Sequence, residues 1–366
     1  MPANVHYLNC AYMSPLSHAV AQALTDGALR KQAPWTYRPA DFFDVSERFR
    51  SRAAQLAGVA ADTIAIVPSA SYGLAIAARN LPLARGQRIV LLADQFPSNV
   101  YPWRDLAQKC GAVIDTVQRD ADAAWTGAVL DAIGPDTGIV AVPHCHWADG
   151  RLVDLVAVGR RCREYGAALV LDLTQSLGAM PIDLGEVQPD FAVAACYKWL
   201  MAPYGTGLLY VDPRHHHGEP IEHNWINRGG SEDFARLVDY RDDYQSGARR
   251  FDMGEKANPP LLDGAGAGIE FLLEFGVDAI AHTLAAQTEA IARDAAALGF
   301  SSAPPEQRGP HFLALGFPAG VPEGLTERLA ARQVHVSLRG TSLRVTPHLY
   351  NNEADRAALI EVLRTI

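Results

Sequence analysis

Two polar residues, Asp172 and Lys198, each follow a short apolar run near the middle of the chain. The run LVLD is typical of a buried strand that ends at Asp172, and FAVAACYK is typical of a second strand that delivers Lys198. Open α/β folds bind ligands in the crevice at the carboxyl ends of their strands. We therefore expect a carboxylate and an amine to face one crevice at the edge of a sheet.

This pair of groups suits pyridoxal 5′-phosphate (PLP). The cofactor needs a lysine for its Schiff base and an anionic partner for its pyridinium nitrogen. A lysine that acts as a base near neutral pH also needs a lowered pKa, which burial and neighbouring cations supply. The alternative is a structural ion pair between Asp172 and Lys198 that takes no part in chemistry.

Further motifs accompany the pair in a fixed order. They are YLNCAYMSPLS near the start, Asp-x-x-Gln at 172–175, Tyr-Lys at 197–198 before a Gly-rich turn, and SLRVTPHLYN near the end. With these motifs the sequence resembles the class V aminotransferase family, which belongs to fold-type I of the PLP enzymes. The family includes cysteine desulfurases, kynureninases and isopenicillin N epimerase-like proteins. The resemblance covers nearly the whole chain and implies PLP, an amino-acid substrate and a homodimer.

The phosphate of the cofactor has a candidate site in IAIVPSASYGLAIA, which is typical of a strand, a turn of small residues and a helix. The free N–H groups of Ala70 and Ser71 would point at an anion at the start of that helix. The alternative is simple capping of the helix by Ser69. The resemblance implies that this turn holds the phosphate and that the hydroxyl of Tyr197 reaches it.

The resemblance also implies contacts with the pyridine ring. In ADQFPSNVYPW, Phe96 takes the place of the family's stacking aromatic or histidine, and the alternative is a core phenylalanine. Gln175 would bind the cofactor O3′ or the Schiff-base region. In HCHWADG, His144 matches a family histidine beside the ring, although the family often has Asn near Trp147. No further zinc-ligand spacing accompanies these histidines, so we predict no metal site.

Substrate recognition is expected in the tail. By resemblance, Arg344 in SLRVTP binds the substrate α-carboxylate, and a planar guanidinium suits this role. Arg339 lies close by, either at the other end of the substrate or on the surface. The segment at 249–259 resembles a loop that reaches the partner's phosphate, but Glu255 replaces the usual Thr, so Lys256 or Asn258 would have to make that contact. Aromatic residues that could line a pocket for a bulky side chain are Trp35, Tyr37, Trp147 and Trp225.

The composition and charge of the chain indicate which class of protein it belongs to. The chain has 366 residues, is 49% hydrophobic and carries a formal charge of −9 with acidic and basic residues interspersed. These values predict a soluble α/β protein that binds neither nucleic acid nor a membrane. The five scattered cysteines indicate reduced thiols, and the start of the chain lacks the pattern of a signal peptide, so we expect a cytoplasmic protein.

Seven short apolar runs alternate with helical patterns over the first two thirds of the chain. This alternation predicts a doubly wound α/β fold with a mostly parallel, seven-stranded sheet. We expect an N-terminal segment at 1–15 that packs near the site, a large PLP-binding domain at 16–250 and a small C-terminal α+β domain at 251–366. The glycines of GAGAG at 264–268 predict close helix packing, not a nucleotide loop.

The reaction is less constrained than the fold. Cysteine desulfurases carry a nucleophilic Cys shortly before the tail arginine, whereas VHVSLRGTSLRV has none, which disfavours that activity. Transamination of an α-amino acid is the leading hypothesis. The alternatives are a kynureninase-like or other Cβ lyase and an epimerase in which Lys256 is a second base facing Lys198. A PLP-fold protein without turnover is a fourth possibility, which the intact Asp172–Lys198–Arg344 set disfavours.

Overall fold

The structure, a computed structural model, describes residues 2, 4–120 and 123–365. The strands of the described residues are β1 His6–Tyr7, β2 Ile64–Val67, β3 Arg88–Leu92, β4 Val113–Val117, β5 Thr137–Pro143, β6 Ala168–Asp172, β7 Phe191–Ala195, β8 Gly207–Val211, β9 Leu313–Gly316, β10 Val334–His335, β11 Ser337–Arg339 and β12 Ser342–Val345. The α-helices are α1 His18–Arg30, α2 Asp41–Ala57, α3 Ala70–Asn80, α4 Tyr101–Cys110, α5 Trp125–Ala132, α6 Leu155–Tyr165, α7 Leu184–Val187, α8 Pro259–Phe275, α9 Val277–Ala296, α10 Leu325–Ala331 and α11 Glu353–Leu363.

A seven-stranded sheet forms the centre of the fold, in the order β2-β8-β7-β6-β5-β3-β4. Strand β8 is antiparallel to both of its neighbours, and the other adjacent pairs are parallel. Helices cover both faces, so β6 and β7 are buried throughout or nearly so, which explains their continuous apolar runs. The predicted mostly parallel, seven-stranded α/β sheet is therefore confirmed, and each of the seven apolar runs contains one of its strands.

The C-terminal region adds a three-stranded antiparallel sheet in the order β11-β12-β9. Its core is a separate apolar cluster that includes Leu313, Leu343 and Leu359. Strand β1 pairs with β10, which ties the start of the chain to this region. Helix α8, in contrast, packs in the core of the large sheet through Leu262 and Ile269. The domain boundary at 250/251 stays a prediction.

The glycines of α8 allow close packing, as predicted. A Cβ at Gly268 would lie 2.6 Å from the main-chain oxygen of Leu200, and a Cβ at Gly264 would lie 2.7 Å from Leu24. The contact at Gly268 holds α8 against the chain that follows Lys198. No helix in the described part of the chain is long and apolar enough to cross a bilayer.

Candidate active site

The sheet brings Asp172 and Lys198 to one edge. Asp172 is the last residue of β6, and Lys198 follows the end of the neighbouring, parallel β7 by three residues. A tight turn then fixes the lysine: the N–H of Met201 donates to the oxygen of Lys198 at 3.1 Å, and Met201 adopts φ 54°. A left-handed conformation is unfavourable for a non-glycine residue, and such strain is concentrated at functional sites.

Both side chains border one cavity of about 190 Å³. The residues that line it are Pro68, Ser69, Ala70, Ser71, Gln95, Phe96, Ser98, Pro143, Cys145, Trp147, Asp172, Thr174, Gln175, Ala195, Tyr197, Lys198, Tyr204, Gly205 and Thr206. Seven of the predicted site residues are thus brought together: Ala70, Ser71, Phe96, Asp172, Gln175, Tyr197 and Lys198. Three others, His144, Arg339 and Arg344, are not among the lining residues.

The side-chain amine of Lys198 is buried and has a lowered pKa. Its side chain is 6% exposed, and no carboxylate of the described residues lies within ion-pairing distance of Nζ. Burial lowers the pKa of Lys198 to about 8, although Asp172 opposes the shift; Arg344 and Arg339 add to it. Nζ lies 5.4 Å from the centre of the Phe96 ring and 5.5 Å from that of Tyr197. A substantial fraction of this amine is therefore neutral near physiological pH.

Asp172 is a buried carboxylate held in place by the main chain. It is 8% exposed, and its Oδ1 accepts a hydrogen bond from the N–H of Thr174 at 3.0 Å. Burial raises the pKa of Asp172, whereas Thr174 and the charge of Lys198 oppose that rise. A cationic ring nitrogen at this carboxylate would remove the cost of burying the charge.

Helix α3 presents its N-terminus to the same cavity. Ser69 caps the helix by accepting the N–H of Tyr72 at 3.2 Å, so the capping interpretation of this turn is correct. The hydroxyls of Ser69 and Ser71 lie 2.9 Å apart and both residues border the cavity. Capping does not use the N–H groups of Ala70 and Ser71, which remain suited to an anion.

Gln175 is fixed by neighbours on three sides. Its side-chain oxygen accepts from Trp199 Nε1 at 2.9 Å, and its side-chain nitrogen donates to the oxygen of Ala11 at 3.1 Å. Its main-chain oxygen lies 2.6 Å from Nε2 of the buried His311. The remaining N–H of the amide is available to the cavity. The segment near Ala11 also reaches the site at Ser14, whose N–H donates to the oxygen of Tyr197 at 3.0 Å.

His144 does not border the cavity, which argues against the predicted ring contact. Its neighbours Pro143, Cys145 and Trp147 do border it. His144 instead borders a second depression with Asp154. Burial lowers the pKa of His144 to about 4.

The two arginines near the end of the chain, Arg339 and Arg344, both contact Trp147. Arg344 is 1% exposed and donates from Nη1 to the main-chain oxygen of Trp147 at 2.9 Å. Its Nε and Nη2 have no hydrogen-bond partner among the described residues. The guanidinium of Arg339 lies 5.7 Å from the Trp147 ring centre. Burial, followed by the charge of Arg339, lowers the pKa of Arg344 to about 10.

Lys256 is not placed to be a second base opposite Lys198. Its Nζ lies 2.9 Å from Oδ2 of Asp252, which also pairs with Arg50 at 2.7 Å. All three side chains are buried, so Lys256 is held in a structural ion cluster. Asn258 caps α8, and Glu255 is exposed.

Sequence reasoning missed part of the cavity wall. Thr174, Thr206 and Tyr204 line the cavity without having been singled out, and Trp147 was one of four candidate aromatic residues. Trp147 donates from Nε1 to the oxygen of Asp94 at 2.6 Å and packs edge-on against Phe96. Tyr37 and Trp225 border a different groove. Thr174 could have been found from its position two residues beyond Asp172.

Both the sequence and the fold of the chain resemble those of known proteins. The sequence model of the family described as Aminotransferase class-V matches residues 33–353. A Bacillus subtilis protein named uncharacterized aminotransferase YcbU is 27% identical over 96% of this chain and 91% of its own length. The kynureninase of Deinococcus radiodurans is 27% identical over 69% of this chain and 62% of its own length. An apo structure of cysteine desulfurase from Thermococcus onnurineus superposes with a TM-score of 0.86, at 21% identity, over 99% of this chain and 94% of the other.

Proposed function

Because the chain belongs to the class V aminotransferase family, we propose that it is a PLP-dependent enzyme that transfers the amino group of an α-amino acid. The observation that carries the proposal is the buried Lys198 amine, with its pKa lowered to about 8, in one cavity with Asp172 and the start of α3. PLP, when bound, supplies an aldehyde and an electron-withdrawing ring.

The residues present fit this cofactor. Lys198 has a free amine for the covalent link, and Asp172 has a buried carboxylate without an ion-pair partner for the ring nitrogen. Ser71 and the N–H groups at the start of α3 suit the phosphate. Phe96 offers an apolar face, and Gln175 offers one amide N–H. His144 is not one of the proposed cofactor contacts because it does not border the cavity.

Each side chain then has a chemical task. Asp172 would face the ring nitrogen and favour its protonated form. Lys198 would hold the cofactor and would move a proton at the substrate Cα. Arg344 would bind the α-carboxylate with the N–H groups on Nε and Nη2, which have no partner in the part of the chain that the structure describes.

A Cβ lyase is the second candidate. Phe96-Pro97 and Tyr197-Lys198 resemble kynureninases, and a kynureninase is among the relatives of the chain. An epimerase is disfavoured because Lys256 is held by Asp252. A desulfurase is disfavoured because only Gly340 and Thr341 join β11 to β12.

Cys145 does not change the argument against a desulfurase. This thiol borders the cavity, but it is buried and donates to the oxygen of Gly150. Burial raises the pKa of Cys145 far above the ordinary value of a thiol. A protonated thiol is a poor nucleophile.

The proposed enzyme is a homodimer. Several apolar side chains are exposed in the single chain, and two of them, Phe96 and Tyr204, border the cavity. Large exposed apolar surfaces are typical of sites that another protein covers. Light scattering of the PLP-loaded protein should give twice the mass of the chain, and an active monomer would contradict the proposal.

A spectral assay with single amino acids tests the reaction. Amino-group transfer should convert the PLP absorbance to that of the pyridoxamine form, and a keto acid should reverse the change. Release of alanine and an acid fragment would favour the lyase instead. Solvent deuterium at Cα without net product would favour an epimerase. Sulfide release that is lost in Cys145→Ser would overturn the exclusion of a desulfurase.

A further inference from the structure

We propose that Arg339 and Arg344 form a subsite for two negative charges, and that the substrate is a dicarboxylic α-amino acid. The inference rests on the proposed function and adds the substrate class. Arg344 takes the α-carboxylate, and Arg339 takes the carboxylate of the side chain.

The β11–β12 hairpin sets the spacing of the two arginines. Ser337 lies opposite Arg344, and Arg339 lies opposite Ser342. Residues two apart on a strand and residues directly opposite each other share one face of a sheet. Arg339 and Arg344 therefore project from the same face as diagonal neighbours, which typically lie about 7–8 Å apart. The intervening turn is only two residues long and uses Gly340 at φ 54°, so it restricts how far the arginines can separate.

The pair of guanidiniums carries no compensating charge. None of the carboxylates in the described part of the chain forms an ion pair with either arginine; the charged groups around Arg344 are instead Arg339 and Lys198. Nε of Arg339 and both Nε and Nη2 of Arg344 are buried without a hydrogen-bond partner. Burying charged donors without partners is unfavourable, and an anionic ligand would relieve that cost.

One residue connects both arginines to the reactive amine. Trp147 lines the cavity of Lys198, accepts the hydrogen bond of Arg344 with its main-chain oxygen, and lies beneath the guanidinium of Arg339. Both arginines also lower the pKa of Lys198, so their charges reach the reactive amine. A substrate held at Lys198 therefore meets two positive charges beside Trp147.

The charge balance favours a dicarboxylic substrate over a neutral one. An α-amino acid with a neutral side chain brings one carboxylate, which leaves one of the two guanidiniums without an anion. A second carboxylate on a short side chain would neutralise the charge of the other guanidinium. The competing explanations are that a single carboxylate binds to both arginines and that Arg339 only packs on Trp147.

Isosteric substrate pairs distinguish these explanations. Aspartate and asparagine, and glutamate and glutamine, differ in charge but little in shape. With PLP-loaded protein we expect kcat/KM to favour the charged member of at least one pair by about 10–100-fold, as charge-assisted hydrogen bonds imply. In Arg339→Gln the preference for the charged member of each pair should disappear. Arg332→Gln is the matched control, because Arg332 is an exposed arginine of the same region that pairs with Glu361, and it should keep the preference.

A binding measurement supplies a second readout that needs no turnover. By calorimetry, PLP-loaded protein should bind succinate or glutarate about 10–100-fold more tightly than butyrate. Arg339→Gln should bind the dicarboxylates no better than butyrate. Its PLP absorbance and melting temperature should match those of the wild type, which shows that the variant is folded and loaded.

Failure of this inference is distinguishable from failure of the proposed function. Equal use of charged and neutral amino acids, or an unchanged preference in Arg339→Gln, would overturn the two-charge subsite and leave amino-group transfer standing. Protein that binds no PLP, or PLP-loaded protein that reacts with no amino acid, would overturn both.

Discussion

Lys198 and Asp172 border the same cavity without forming an ion pair. The charge of Asp172 raises the pKa of Lys198, yet burial outweighs it and leaves that pKa at about 8. A direct ion pair would have held the lysine protonated and poorly nucleophilic. The separation leaves the amine available for an aldehyde and the carboxylate available for a cation.

The first prediction concerns pH. Below about pH 8 the Lys198 amine is mostly protonated, so the rate at which PLP-free protein captures PLP should rise with pH through about 8 and then level off. Stopped-flow absorbance measures this rate. Lysine acetylated on its α-amine is the reference, because its side-chain amine titrates near the ordinary lysine pKa of about 10.4. A protein profile that follows the reference would contradict the lowered pKa.

The second prediction concerns Asp172→Asn. The change removes a negative charge that raises the pKa of Lys198, so the midpoint of PLP capture should move to lower pH. The variant should still bind PLP, but kcat should fall about 10²–10³-fold because the ring nitrogen loses its electrostatic partner. Steady-state kinetics checks the fall, and wild-type turnover would refute the role of Asp172.

The third prediction concerns Arg344→Gln. On Nε and Nη2 the guanidinium has three N–H groups that find no partner within residues 2, 4–120 and 123–365. Its loss should lower kcat/KM for carboxylate substrates, because a charge-assisted contact worth about 2–4 kcal/mol of transition-state binding free energy is lost. The PLP absorbance should remain. Normal kinetics with every carboxylate substrate would show that the substrate binds elsewhere.

The fourth prediction concerns the helix that offers its N-terminus to the phosphate. A Cβ at Gly73 would lie 2.7 Å from Val193 Cγ2, and a valine side chain has little freedom to move. Gly73→Ala should therefore push α3 off the sheet, cost about 1–3 kcal/mol of unfolding free energy and weaken PLP binding. Gly127→Ala is the control, since a Cβ there meets nothing within 4 Å in another helix. Chemical denaturation and PLP titration test both, and equal behaviour of the two variants would contradict the packing argument.

The fifth prediction concerns the buried ion cluster. Burial alone would raise the pKa of Asp252, but the charges of Arg50 and Lys256 outweigh it and hold that pKa below its usual value. The stabilisation is therefore present at neutral pH and is lost as the pH falls through the folded-state pKa. Asp252→Asn should cost about 3–5 kcal/mol at pH 7, because it leaves buried cations unpaired.

The cost of Asp252→Asn should shrink as the pH falls, because the wild type then loses the same charge. Asp243→Asn, which breaks an exposed pair with Arg241, should leave stability unchanged. Urea unfolding at several pH values measures both variants. A cost for Asp252→Asn that does not depend on pH would contradict the ion-pair explanation.

The sequence was sufficient for the large sheet because its strands are buried on both faces. Continuous apolar runs such as Phe191–Ala195 leave little choice of element, and polar residues at strand ends mark the sheet edge. The same pattern, an apolar run followed by a polar residue, predicted that Asp172 and Lys198 lie at the edge of the sheet. It says nothing about the cavity contacts of His144, which follows the end of β5 and borders a different depression.

Other features depend on contacts between distant segments. The ion pair of Lys256 with Asp252 is local, but the burial that locks it comes from Arg50, about two hundred residues away. Trp147 gains its position from Asp94, Phe96 and the two tail arginines. No local sequence pattern predicts such contacts, because each partner lies on a separate element.

The covalent link to the cofactor tests the central claim most directly. The chain has four lysines, Lys31, Lys109, Lys198 and Lys256. After PLP loading and reduction with borohydride, peptide mass spectrometry should find the pyridoxyl adduct on Lys198, and Lys198→Ala should carry none. An adduct on Lys256, or no adduct on any lysine of the loaded protein, would contradict the account.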